Sequence, residues 1–150
     1  MRIICIRDMP ALIDNAAEWF ADKWGIPIRE YSESMHESMT EASHIPQWYI
    51  VLHKNKIIAG AGVIENDFHS RKDLTPNLCA LYVEEEFRKK GVARRILDFA
   101  RKDMANFGFS DIYLITDHTN FYEKCGWKFL TTAYDDEGRK VRVYQAYAKP

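Results

Sequence analysis

The chain has 150 residues, 47% of them hydrophobic and 13% aromatic, enough to build a core without a disulfide or metal staple. Its 21 basic residues are balanced by 22 acidic ones, which excludes a whole-domain electrostatic grip on nucleic acid or an anionic membrane, and a highly charged disordered chain. The longest uncharged apolar run, residues 57–64, falls far short of the roughly 20 residues of a membrane span, and the apolar stretch near the N-terminus is too short for an export signal, so the expected location is the cytoplasm.

Residues 2–6 read as a short strand. Residues 9–24 follow as a helix, with Asp8 as its cap, Pro10 in its first turn, and Leu12, Ala16, Trp19 and Phe20 at helical spacing. Gly25-Ile26-Pro27 stops it. The spacing predicts a second helix over 28–42, where Glu30, Glu33, Glu37 and Glu41 form an acidic stripe. Such a stripe is either a solvated face or an attractor for a cationic substrate. The aromatic stretch 19–24 reads as core and substrate-side wall, and Trp48 and Tyr49 as sheet packing. Residues 47–53 and 57–65 are strands joined by a tight Lys54-Asn55-Lys56 hairpin. Gly60 and Gly62 imply close approach of a neighbour in the second of them.

Residues 66–76 form a polar loop. Asp67 and His69 in it have ligand chemistry but no third and fourth partner nearby, so no metal site is expected. Residues 77–83 are short and nearly uninterrupted in apolar character, as in a buried central strand. A basic, glycine-bearing loop then leads into an amphipathic helix that buries Ala93, Leu97, Ala100 and Met104 and ends at Gly108. A strand over 111–116, a short helix over 120–124, a strand over 127–134, a turn at 135–138 and a last strand over 141–148 complete the chain. The fold class is mixed α/β of the α+β type, in the order β-α-α-β-β-β-α-β-α-β-β, with a mostly antiparallel sheet flanked by helices. No linker or repeat divides residues 1–150, so a single domain is expected. Cys5, Cys79 and Cys125 are odd in number and lack metal or redox spacing, which suits buried, reduced thiols.

The chemistry concentrates where residues 78–97 run strand, basic loop, helix. The first N–H groups of a helix lack intrahelical partners and carry partial positive charge, so this arrangement suits an anion. Gly91 and the small Ala93 permit close approach of a phosphate, and Arg88, Lys89, Lys90 and Arg94 add charge. The spacing matches neither a P-loop nor a dinucleotide-binding fingerprint.

Here the sequence resembles the GNAT (GCN5-related N-acetyltransferase) superfamily, whose acetyl-CoA loop reads R/Q-x-x-G-x-G/A. The chain has Arg88-Lys89-Lys90-Gly91-Val92-Ala93, preceded by Leu81-Tyr82-Val83, which resembles the family's central strand. The later Asn120-Phe121-Tyr122-Glu123-Lys124-Cys125-Gly126-Trp127 resembles the family's N-x-x-(F)Y-x-K-x-G-F/W segment, with tighter spacing from the asparagine. The resemblance implies an acetyl-CoA-dependent N-acetyltransferase, acting by direct attack of a primary amine in a ternary complex. It implies that backbone groups of residues 88–93, with Val92 and Arg94, hold the pyrophosphate. It implies further that Leu81, Tyr82 and Val83 pair with the pantetheine arm, where the central strand and the strand over 111–116 splay, and that Asn120 and Tyr122 belong to the cofactor site. It also implies a homodimer.

By the same resemblance, Tyr122 is the general acid toward the CoA sulfur. The general base stays open. Asn77 and Cys79 stand where some relatives carry a carboxylate, leaving Asp117, Glu65, Glu84 and His118. Asp117 is favoured for base or substrate contact, because Thr116-Asp117 resembles the strand end of some aminoglycoside acetyltransferases; Glu65 follows. The acidic stripe with Glu65, Asp67 and Asp117 points to a small cationic amine. The competing reading is a non-catalytic GNAT-like module that binds CoA or a protein partner. No nucleic acid or membrane partner is expected.

Overall fold

The computed structural model describes residues 1–40 and 44–149. The elements run in chain order β1 (Arg2–Cys5), α1 (Ile13–Trp24), α2 (Ile28–Glu37), β2 (Gln47–His53), β3 (Lys56–Ile64), β4 (Asn77–Val83), α3 (Val92–Asn106), β5 (Asp111–Ile115), α4 (Thr119–Lys124), β6 (Lys128–Tyr134) and β7 (Lys140–Tyr147). This is the order expected from the sequence. The strands form one seven-stranded sheet, β1-β2-β3-β4-β5-β7-β6. β4 and β5 run parallel, with Asn77 opposite Tyr113, while the β1–β2, β2–β3, β5–β7 and β6–β7 pairs are antiparallel. No helix among the described residues is long and apolar enough to cross a membrane.

The chain forms two compact units, each with its own packing. The first comprises Met1–Val63 and Ala80–Ile96. Its hairpin is tight because Lys54 and Asn55 both take left-handed backbone angles, the two-residue turn that suits strand twist. α1 buries Ile13, Ala16, Ala17 and Phe20. The Phe20 ring meets Trp19, Tyr31 and Trp48 with centroids 5.0–5.5 Å away. The two glycines of β3 are required by this aromatic layer. A Cβ on Gly60 would lie 2.7 Å from the Phe20 ring, and one on Gly62 would enter the Trp48 ring. A second cluster joins Val51, Ile58, Ala59, Ala61 and Val83 to Val92 and Ile96 at the start of α3. That cluster seats the helix whose first turn follows the basic loop.

The second unit comprises Ile64–Cys79 and Leu97–Pro150. Leu74, Ala133 and Val143 form its small cluster, with Tyr113, Ile115 and Val141 packed on it. The loop before β4 is stitched to the β6–β7 hairpin. Ser70 N–H donates to the Tyr134 carbonyl, Tyr134 N–H donates to Ser70 Oγ, and His69 bridges to Asp135. Cys5, Cys79 and Cys125 are buried thiols with no disulfide among them.

Two sequence expectations are corrected. Asp8 does not cap α1. It lies in a 3-10 turn over Ile6–Asp8, a second such turn covers Pro10–Leu12, and the helix starts at Ile13 without a side-chain cap. Proline fits a first turn but cannot donate, so the segment tightens before it settles into α geometry. The second helix ends at Glu37 rather than continuing to 42. There Ser38 Oγ donates to the Met35 carbonyl and Thr40 Oγ1 to that of Glu37, so hydroxyls take the places of further helical N–H donors. Glu30, Glu33 and Glu37 are exposed, with Glu33 paired to Arg29; Glu41 lies outside the described residues.

Candidate functional site

The basic loop is built by backbone geometry. After β4 a 3-10 turn covers Glu85–Phe87, Arg88 is extended, and Lys89 and Gly91 take φ of 62° and 78°. A left-handed residue reverses the local direction of the peptide groups, and two in quick succession curl N–H groups toward one concave side. Gly91 closes the loop. Its carbonyl accepts from Arg95 N–H at 3.1 Å, a first bond of α3, and the N–H groups of Val92, Ala93 and Arg94 ahead of it have no acceptor within the helix. A Cβ on Gly91 would meet nothing within 4 Å, so the space beside this backbone is open and the residue is dictated by φ alone. Arg88, Lys89, Lys90 and Arg94 are exposed around it. An anionic diphosphate fits this donor set: free backbone N–H groups, a helix N-terminus, open space and four cations.

Arg88 is not simply a solvated charge. Its Nε donates to the Val83 carbonyl at 2.8 Å, and its guanidinium lies 5.3 Å from the Tyr82 ring centre. Tyr82 meets Lys23 as well, whose Nζ is 5.4 Å from the ring, and Trp19 and Trp24 at its edges. Lys23 is bound to Glu84 at 2.6 Å, an interaction that raises its pKa. Glu84 is therefore committed to an ion pair with Lys23. β4 carries a feature the sequence does not announce: Ala80, inside the strand, has φ of 54°. Trp24 Nε1 donates to its carbonyl at 3.2 Å.

In the second unit, Tyr122 sits in the middle of α4, partly buried, with its ring at the edges of Phe121 and Trp127. Burial, and secondarily the Cys125 thiol, push its phenol up to about 12. The group holds its proton across the neutral range and is available as a hydrogen-bond donor. Asp117 and His118 are exposed at the junction between β5 and α4, where Thr116 Oγ1 accepts from His118 N–H. Asn120 is exposed in the first turn of α4. Glu65 is exposed just beyond β3.

Asn77, fully buried, does structural work where a carboxylate base stands in some relatives. Its two amide hydrogens go to the carbonyls of Glu65 and Leu74, and its Oδ1 is 2.7 Å from His69 Nε2. His69 Nδ1 accepts from Arg71 N–H, so Nε2 carries the ring proton and donates to Asn77. Both ring nitrogens are therefore engaged in hydrogen bonds that hold the loop against β4. Beside it, burial raises the pKa of the Asp67 carboxyl, only partly offset by His69. Sequence reading placed Asp67 among the acceptor-attracting charges and missed its desolvation, because nothing in the residues around it signals burial.

The sequence matches the Acetyltransferase (GNAT) family over residues 13–127. The chain belongs to the GNAT acetyltransferase family. It is thus an N-acetyltransferase, and its acetyl donor is acetyl-CoA. An uncharacterized N-acetyltransferase of Chlorobaculum tepidum is 23% identical over 134 residues, covering 87% of this chain and 79% of that protein. Among solved structures, an aminoglycoside 6'-N-acetyltransferase complexed with coenzyme A superposes with a TM-score of 0.72 at 20% identity, covering 100% of this chain and 98% of the other. A spermidine N-acetyltransferase mutant from Vibrio cholerae gives 0.68 at 14% identity, covering 99% and 95%. At these identities the likeness is one of fold.

Proposed function

We propose that this GNAT enzyme acetylates a primary amine on a small cationic acceptor, by direct attack in a ternary complex. The observation that carries the reading is the paired left-handed turn at Lys89 and Gly91 opening onto the first turn of α3. In this reading the N–H groups of residues 89–94 hold the pyrophosphate, with Arg88, Lys89, Lys90 and Arg94 neutralising it. The backbone of Leu81, Tyr82 and Val83 pairs with the pantetheine arm as an added strand. When bound, acetyl-CoA supplies the acyl group and a thiolate leaving group.

By the family resemblance, Tyr122 serves that leaving group as a donor. A phenol near 12 does not hand its proton fully to a sulfur whose thiol titrates near about 8.5, but a hydrogen bond to developing charge needs no full transfer. Asn120 supports the same end of the site. Asp67 joins Asp117 and Glu65 as a candidate proton acceptor for the incoming ammonium, because burial raises its carboxyl pKa. Asp117 and Glu65, both exposed, contact the cationic acceptor. The aminoglycoside and spermidine enzymes of like fold act on polycationic amines by name, which favours this acceptor class.

Titration of the chain with acetyl-CoA tests the cofactor site, with ADP and pantetheine as controls. At about 100-fold excess over Kd, linkage gives about 2.7 kcal/mol of stabilisation, or about 5–10 °C in Tm for a chain of this size. A panel of polyamines, aminoglycosides and neutral amines then tests the acceptor. Tyr122→Phe lowers kcat by about 10–100-fold with the acetyl-CoA Kd nearly unchanged. Turnover restricted to neutral or acidic acceptors overturns the cationic assignment.

A further inference from the structure

Ala80 is the one residue inside a β-strand, among those described, with a left-handed backbone. An alanine there costs about 1–2 kcal/mol relative to right-handed geometry, a cost that glycine escapes. The conformation persists only if its surroundings hold it. One bond does so from far along the chain: the indole Nε1 of Trp24, at the last residue of α1, donates to the Ala80 carbonyl. Trp24 is 45% exposed, so its presence is not demanded by the core. Its ring meets the edge of Tyr82, two residues beyond Ala80. Tyr82 is braced by Trp19 and has two cations, Lys23 and Arg88, 5.4 and 5.3 Å from its ring. Lys23 and Trp24 are adjacent, so the C-terminal end of α1 grips β4 at Ala80 and Tyr82 and, through Lys23, Glu84 just beyond the strand.

We infer that Trp24 is a positioning residue for acetyl-CoA: its indole N–H holds Ala80 left-handed and so sets which way the peptide groups of Leu81, Tyr82 and Val83 face. A left-handed residue in a strand re-aims everything that follows it. Ligand pairing along residues 81–83 depends on that aim. This role rests on the proposed pantetheine contact and extends it to a residue that touches no ligand.

The test is a double-mutant cycle read by calorimetric Kd for acetyl-CoA and by amide exchange of residues 81–83 in the ligand-free chain. Trp24→Phe keeps a ring and removes the donor. It weakens binding by about 3–10-fold, the worth of one neutral hydrogen bond, and speeds exchange at 81–83. In an Ala80→Gly background the same change costs less than about twofold, because glycine holds the left-handed angle unaided. Ala80→Val with Trp24 intact probes the same geometry from the other side. A β-branched residue resists positive φ, and binding falls by at least about 10-fold. Equal losses from Trp24→Phe in both backgrounds, or no loss in either, overturn the positioning role while wild-type binding keeps the cofactor reading. An equal fall in Tm in both backgrounds with Kd unmoved reduces Trp24 to a structural contact and also overturns it. If the wild-type chain binds no acetyl-CoA, the cofactor reading falls and this inference falls with it.

Discussion

Two loops flank β4, and they are built by opposite means. The one after it, residues 84–91, is exposed and highly charged, and takes its form from backbone angles at Lys89 and Gly91. The one before it, residues 65–76, looks equally polar in sequence but is organised by a buried side-chain network. His69 is 1% exposed and Asn77 fully buried, with every polar atom of the two amide and imidazole groups matched. The first loop offers its N–H groups to whatever arrives. The second spends its polar groups on its own fold, on β4 and on the β6–β7 hairpin, and leaves Asp67 half-buried beside them. The lesson is that two loops of similar polarity can be built in opposite ways, one shaped by backbone angles and exposed, the other fixed by buried side chains.

The contrast is most severely tested at Asn77. Asn77→Leu strands the His69 Nε2–H and two carbonyls in the interior. It is expected to cost about 3–5 kcal/mol, seen as a Tm fall of about 6–20 °C, while folded molecules keep their acetyl-CoA Kd. A loss under about 1 kcal/mol would mean the network is not what holds the loop. Asp67→Asn comes next. It is expected to lower kcat about 100-fold and to raise Tm by about 1–3 °C. The sign follows from linkage. A carboxyl whose folded pKa is raised stabilises the fold fully below its unfolded pKa, and that contribution is lost as pH rises through the folded value, so at neutral pH the charged group is a burden that asparagine removes. A Tm that drops instead breaks the picture of a desolvated carboxylate.

Gly91→Ala follows. With open space at its Cβ, the change is opposed by φ alone, about 1–2 kcal/mol, and is expected to lower Tm by about 2–8 °C and to weaken acetyl-CoA by about 10-fold. The smallest effect is on the alkaline side. Tyr122 ionises at about 10 when unfolded and about 12 when folded, so between those values stability declines in the wild type and less steeply in Tyr122→Phe. Parallel pH–stability curves would show the phenol is not desolvated.

The element order was legible because its signals are local. Helical spacing in α3, the Lys54-Asn55 turn and the β3 glycines each leave a residue-level mark, and the R-x-x-G-x-A string locates the basic loop. What could not be read depends on which groups meet across the chain. Ala80 and Lys89 are ordinary residues in glycine's geometry. The Trp24–Ala80 bond spans 56 positions. Glu84 looked as free as Glu65 until Lys23 claimed it, and Asp8 looked like a cap until Pro10 delayed the helix. Asp67 differs from its acidic neighbours only in its solvation, which composition does not encode.

The sulfur atoms offer an internal clock. Cys5, Cys79 and Cys125 lie at the end of β1, within β4 and just after α4, each under 10% exposed. A maleimide added to the native chain therefore reacts only as fast as each site opens, so peptide mapping over time ranks the local openings of three separate places. The same shielding leaves the surface silent toward the reagent, and a cysteine introduced at an exposed position becomes a handle for a fluorophore without first removing the native three.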